Sequence, residues 1–160
     1  MAEVHEANLD ELSVLTDLEA AADAMFETVG FGPLPPPGTL DELRKALLVL
    51  VAGRPPEGFI RLEEMVGLVH IEQLSVHPDH MRQGNGTALI EAARTWSKAL
   101  GYAEMTLATY RDVRWNAPFY ATLGFVEDGP VDEWYARCGL PPEESVLGTY
   151  GTRVLMRLSL

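Results

Sequence analysis

The residues best suited to chemistry lie in one run, Leu74-Ser75-Val76-His77-Pro78-Asp79-His80-Met81-Arg82-Gln83-Gly84-Asn85-Gly86-Thr87-Ala88-Leu89. A strand-like stretch, a turn and a glycine-bearing helix start follow one another without a gap. That order suits an anion. Glycines admit close approach of a ligand to the backbone, and the unpaired amides and macrodipole of a helix N-terminus favour phosphate. Arg82 adds positive charge. On its own, Gly-x-Gly before a helix also fits a plain turn. No third glycine follows at dinucleotide-fingerprint spacing and no Gly-Lys-Ser/Thr occurs, which excludes a Rossmann-type fingerprint and a Walker loop.

His77, Asp79 and His80 share the turn, but with no further ligand run nearby they read as solvent-exposed, and no metal is expected. Cys138 is the only cysteine, which excludes an intramolecular disulfide, a cysteine-rich zinc site and an iron–sulfur cluster held by this chain alone. Nothing around it resembles a catalytic cysteine motif, and a reducing, cytoplasmic setting is the default expectation.

Periodicity supplies the elements that must hold this run. A short strand is expected over Ala2 to Ala7. Leu9, Leu12, Leu15, Leu18, Ala22, Met25 and Phe26 then mark a helix that Gly30 stops. The segment Gly30 to Gly38 is a stiff proline-rich loop, and Thr39 caps a second, shorter helix. Leu47 to Ala52, Phe59 to Val66 and Leu68 to Val76 read as an antiparallel meander. Leu89, Ala92, Ala93, Trp96 and Leu100 form one face of a helix ended by Gly101. A strand over Met105 to Thr109 follows, then a helix that Asn116 can cap and that stops at Gly124. A short strand starts at Phe125 and Val126, Glu127 to Tyr150 is expected to be mostly loop, and Thr152 to Leu160 is a terminal strand. The order describes a mixed α/β or α+β layer architecture.

With 160 residues, the chain fits one domain over residues 1–160, and 47% hydrophobic against 22% charged residues describes a folded, water-soluble protein. No apolar run approaches a membrane span, and no targeting segment is visible. The 24 acidic and 12 basic residues give a net charge of −12, which argues against nucleic acid as a partner. The charge is uneven. No Lys or Arg precedes Arg44, while Glu3, Glu6, Asp10, Glu11, Asp17, Glu19, Asp23, Glu27, Asp41 and Glu42 all do. The amino-terminal helices therefore present a negative surface, which serves solubility or attracts a cationic partner.

The phosphate-suited run resembles the Arg/Gln-x-x-Gly-x-Gly/Ala segment of the GNAT superfamily of N-acetyltransferases. Asn116-Ala117-Pro118-Phe119-Tyr120-Ala121-Thr122-Leu123-Gly124-Phe125 resembles that family's second hallmark, at the expected distance downstream. The likeness is close from about Leu68 to Val126, and elsewhere only the order of elements supports it. The resemblance implies a single-domain GNAT fold, a mixed and mostly antiparallel sheet of about seven strands with flanking helices, splayed between the fourth and fifth strands. It implies acetyl-CoA as co-substrate, with its pyrophosphate on Met81, Arg82, Gln83, Gly84, Asn85, Gly86, Thr87 and Ala88. The main chain of Leu74 and Val76 would hold the pantetheine arm. Met81 stands where the family has Arg or Gln, and Arg82 or Gln83 would substitute for that side chain.

The implied reaction is acetyl transfer to an amine by direct attack in a ternary complex. An ammonium must lose a proton before it attacks, and the departing thiolate needs a proton donor. On the strand that approaches the thioester, Glu72 is the first choice of base and His70 the second; period-2 alternation puts both on one face. A bulge common at this point in the family would change which side faces the cleft, and an ordinary solvent-facing role for both stays open. Tyr120 matches the family's general acid, against a core-aromatic role. Asn116 is a coenzyme contact or only a helix cap. Trp115, Trp134, Tyr135 and Tyr150 would wall an acceptor pocket or serve packing. The acceptor is open between a small amine, with a cationic one favoured by the acidic helices, and a protein N-terminus or lysine. A non-catalytic acyl-CoA-binding or regulatory module is the alternative of another class. Homodimers are common in the family, and the oligomeric state is left open.

Overall fold

Two capping boxes fix where the amino-terminal helices begin. The Asn8 side chain accepts the Glu11 amide while Glu11 reaches back to Asn8, opening α1 (Leu9–Asp23); Thr39 and Glu42 do the same for α2 (Leu40–Lys45). In the computed structural model, which describes residues 2–160, α1 runs on into a tighter 3₁₀ turn that ends where Gly30 turns left-handed, φ +79°. The remaining elements are β1 (Val4–Glu6), β2 (Leu48–Ala52), β3 (Gly58–Met65), β4 (Leu68–Val76), α3 (Asn85–Ala99), β5 (Glu104–Tyr110), α4 (Ala117–Thr122), β6 (Val126–Pro130), α5 (Val131–Arg137), α6 (Ser145–Tyr150) and β7 (Arg153–Ser159).

The strands form one seven-stranded sheet in the order β1-β2-β3-β4-β5-β7-β6. The first four make the antiparallel meander, β4 and β5 run parallel across the α3 crossover, and β7 inserts antiparallel between β5 and β6. Every residue of β2 is buried because both faces are covered. On one face Leu50, Ile60, Leu62, Val69 and Ile71 pack with Leu89, Ile90 and Ala93 of α3. On the other, Val49, Val51 and Phe59 pack with Leu12, Leu15 and Leu18 of α1.

Two irregularities of β4 shape the centre of the sheet. Arg61 pairs with Gln73 and Leu62 with Ile71, so Glu72 has no partner and forms a bulge. The bulge shifts the alternation: Val69 and Ile71 join the α3-side core before it, and Leu74 joins the same core after it. Pairing with β5 is confined to Val69–Ile71 against Met105–Leu107, and beyond Ile71 the two strands part.

The stretch from Glu127 to Tyr150 is not mostly loop, because it holds α5 and α6. Val131 and Trp134, one turn apart, are buried and anchor α5, a pair too short to register as a helical period. Asn116 stands at the N-cap position of α4, its carbonyl accepting the Tyr120 amide at 3.1 Å, but its side chain makes no capping bond; the side-chain oxygen instead accepts the Tyr110 amide at 3.3 Å, at the end of β5. No helix among the described residues is long and apolar enough to cross a membrane.

Phe59 is wholly buried between β2 and α1. Phe59→Ala is expected to lower unfolding free energy by about 3–5 kcal/mol through lost burial and the cavity left behind. Chemical denaturation checks this, and a loss under about 1 kcal/mol would contradict the packing described.

Candidate active site

The parting of β4 and β5 opens a cleft of ≈ 1240 Å³. Of the residues singled out from the sequence, it is lined by His70, Glu72, Leu74, Val76, Met81, Arg82, Gly84, Asn85, Gly86, Thr87, Asn116 and Tyr120, whereas Gln83 and Ala88 lie outside it. Trp115 and Tyr135 also reach the cleft, while Trp134 is buried behind it.

One end of the cleft is built from backbone. Arg82 and Gly84 are left-handed, φ +60° and +84°, and Gly84 directly precedes the first turn of α3. The first helical bond into this turn runs from Ala88 N–H to Gly84 C=O at 3.0 Å, and the amides of Arg82 through Thr87 donate to no group among the described residues. A row of free N–H groups backed by a helix of this length is suited to phosphate oxygens. The Asn85 side chain is turned away, donating to Glu57 at 3.1 Å and accepting the Ala2 amide at 3.2 Å, so that only its main chain is offered. Beside this row, the β5-facing edge of residues 72–76 has no neighbouring strand.

The middle of the cleft holds the titratable groups. Glu72 and His70 stay on one side despite the bulge, with His70 Nε2 3.8 Å from the Glu72 carboxylate. His70 is not solvent-facing: it is 2% exposed, stacks on Trp134 and meets Thr106 Oγ1 through Nδ1 at 2.9 Å. Burial, reinforced by the positive charge of Arg153, pushes its imidazole down to about 4. Burial raises Glu72 above the ordinary carboxylate range, opposed by Arg61 and helped by Glu63, Glu143 and Glu42. Tyr120 packs on Phe119 and Phe125 while lining the cleft, and burial raises its phenol so that it stays protonated.

At the other end Leu34, Pro35 and Leu147 line the cleft, and the segments that carry them meet beside it, with Tyr150 itself outside the cleft. Tyr150 donates to the Pro33 carbonyl at 2.7 Å and stacks on Phe31, while Tyr110 donates to the Leu147 carbonyl at 2.9 Å. Arg153 forks Glu143 at 3.0 and 2.8 Å and lies 4.7 Å from the centre of the Tyr110 ring. Sequence reasoning missed Glu143 and Arg153: they belong to different elements, and no periodicity links them. Glu19 and Asp23, noted only as part of an acidic stretch, also face the cleft. Their i, i+4 spacing on α1 was the available signal.

Residues 45–127 match the family model described as an acetyltransferase (GNAT) domain. Among solved structures, the chain is similar to the ribosomal-protein-S18-alanine N-acetyltransferase of Escherichia coli (18% identity, 99% of this chain and 94% of that one, TM-score 0.69). It is similar to Rv2747 of Mycobacterium tuberculosis in complex with CoA (17%, 99% and 99%, 0.72). It is also similar to the PaiA N-acetyltransferase of Thermoplasma acidophilum in complex with coenzyme A (16%, 100% and 99%, 0.71). At these identities the solved structures establish the fold.

The seclusion of His70 has a measurable consequence. Its folded-state pKa lies below the ordinary imidazole value of 6.5, so the unfolded chain binds the proton first as pH falls. Its contribution to stability is complete above about 6.5 and is lost between there and about 4. Imidazole ¹⁵N NMR should accordingly show His70 neutral at pH 5.5. A protonated ring at that pH would contradict the site as described.

Proposed function

The chain belongs to the GNAT acetyltransferase family, and on that premise we propose that it is an enzyme moving an acetyl group from acetyl-CoA to a small cationic amine. One observation carries the reading: a single cleft gathers the open amides of Arg82 to Thr87, the unpaired edge of β4, the Glu72 carboxylate and the Tyr120 phenol. The residues fit the co-substrate. The amide row takes the pyrophosphate without a side chain at Met81, and the edge of residues 72–76 takes the pantetheine arm as an added strand. The arm then leads the thioester between β4 and β5, where Glu72 and Tyr120 lie.

The amine enters as an ammonium and gives a proton to Glu72. Its lone pair forms the new N–C bond at the thioester carbonyl. The C–S bond breaks and the thiolate takes the proton of Tyr120; the nitrogen sheds its second proton as the amide forms, and that proton, passed through water, restores the phenol. A raised Glu72 is a stronger base than an ordinary carboxylate, while His70, neutral and held by Thr106, accepts no proton readily. His70 is therefore better placed to orient Glu72 or a water beside it. The acidic wall favours a cation.

A screen of amines with acetyl-CoA, reading free thiol, tests the reaction; binding of the coenzyme without turnover on any amine would favour the non-catalytic module. Tyr120→Phe is expected to lower kcat by roughly 100-fold with coenzyme affinity nearly intact, because its hydrogen bond strengthens as charge develops on sulfur. Equal turnover would return Tyr120 to packing alone. Gly84→Val forces a branched residue into a left-handed position at the amide row, and folded protein should bind coenzyme A at least about 10-fold more weakly by calorimetry. Unchanged affinity would remove the phosphate site from this turn.

A further inference from the structure

The His70 ring lies between two oxygen-bearing side chains. Its Nδ1 is 2.9 Å from the hydroxyl of Thr106, its partner across the parallel ladder on β5, and its Nε2 is 3.8 Å from the Glu72 carboxylate. Thr106 is wholly buried, and the stack of the ring on Trp134 of α5 sets the plane in which both nitrogens lie.

A neutral imidazole carries one N–H, so one nitrogen donates while the other accepts. Thr106 decides which. Its hydroxyl meets no acceptor among the described residues other than Nδ1. Were Nδ1 to carry the proton, the hydroxyl could only accept, and its own hydrogen would be left without a partner in the buried core, which is unfavourable. When the hydroxyl donates to Nδ1 nothing is left over: the ring proton stands on Nε2, on the side of Glu72 and of the cleft that His70 lines.

We propose that Thr106 is a positioning residue that fixes His70 as the Nε2–H tautomer, so that the ring donates to the Glu72 carboxylate. The role of Glu72 as base rests on the acetyltransferase reading, whereas the tautomer is independent of it. A separation of 3.8 Å is longer than a direct bond, but Glu72 is the bulged residue and its side chain is partly exposed, free to close on an N–H that is itself held still. One carboxylate oxygen is then engaged and the other is left for the ammonium. The Nε2 proton holds the base and is not transferred.

An N–H donated to a carboxylate favours its ionised form. Burial raises Glu72, helped by Glu63 of β3, Glu143 before α6 and Glu42 of α2; Arg61 of β3 opposes the rise, and the His70 N–H adds to that opposition. Arg153 of β7 faces His70, and Tyr135 of α5 faces Glu72. Without the Thr106 hydroxyl, Nδ1 would rest against a methyl. A half-turn of the ring relieves that contact and keeps the stack on Trp134, but carries Nε2 away from Glu72.

Imidazole ¹⁵N NMR of the free protein at neutral pH reads the tautomer, and the expected pattern is a protonated Nε2 with a bare, hydrogen-bonded Nδ1. In Thr106→Val, which keeps the volume of the side chain, the Glu72 carboxyl followed by ¹³C NMR should titrate about half a pH unit higher or more. The acid limb of kcat/KM should move up with it. Thr106→Ser, which keeps the hydroxyl, should restore both, whereas a role in packing alone would alter stability and leave both in place. A protonated Nδ1 in the wild type, or a Glu72 titration unmoved in Thr106→Val, would overturn the proposal and leave the enzymatic reading standing wherever amines are acetylated. The expected ¹⁵N pattern and Glu72 shift, without acetyl transfer to any amine, would keep the positioning role and overturn the enzymatic reading.

Discussion

The short pairing of β4 with β5 is the constraint on which the site depends. Parallel strands joined by a helical crossover ordinarily pair along their length, and here contact stops after Ile71 and Leu107. The energy that holds the strands apart comes from the layers around them: α3 packs on one face of the meander, α1 on the other, and β7 secures β5 along its whole length. Each half of the sheet is thus stable without the missing hydrogen bonds. The polar backbone left over is concentrated at the cleft, where a ligand can use it.

The same split separates two kinds of recognition. On the α3 side the chain offers main-chain groups and left-handed turns, so recognition there rests on backbone geometry rather than on a side chain at Met81. On the α1 side it offers side chains: carboxyls, prolines and aromatic rings drawn from segments distant in sequence. The first kind suits a ligand common to many proteins, and the second suits one that distinguishes this protein from others.

That division also explains what could be read from the chain alone. The meander, the α3 crossover and the phosphate-suited turn are local features, each written in a periodicity, a cap or a glycine pair, and Leu68–Val76 emerges with the bounds expected for it. Glu72 and His70 are legible because they share one short strand. The Arg153–Glu143 pair, the meeting of Tyr150 with Pro33 and the contact of Asn116 with the Tyr110 amide join segments whose proximity exists only after the sheet has formed. The helices α5 and α6 fall between these cases: their buried anchors, Val131 and Trp134, are too few to establish a period.

An open strand edge is ordinarily exposed to pairing with another chain, and proteins protect such edges with charge, bulges or cover. Residues 72–76 form an edge of this kind in the middle of the sheet rather than at its border. The bulge at Glu72 interrupts that edge and places a carboxylate on it, while β5 and α4 line the cleft across from it. The split in the sheet therefore keeps these unpaired backbone groups within a cleft, whereas a border strand would offer them to any neighbouring chain.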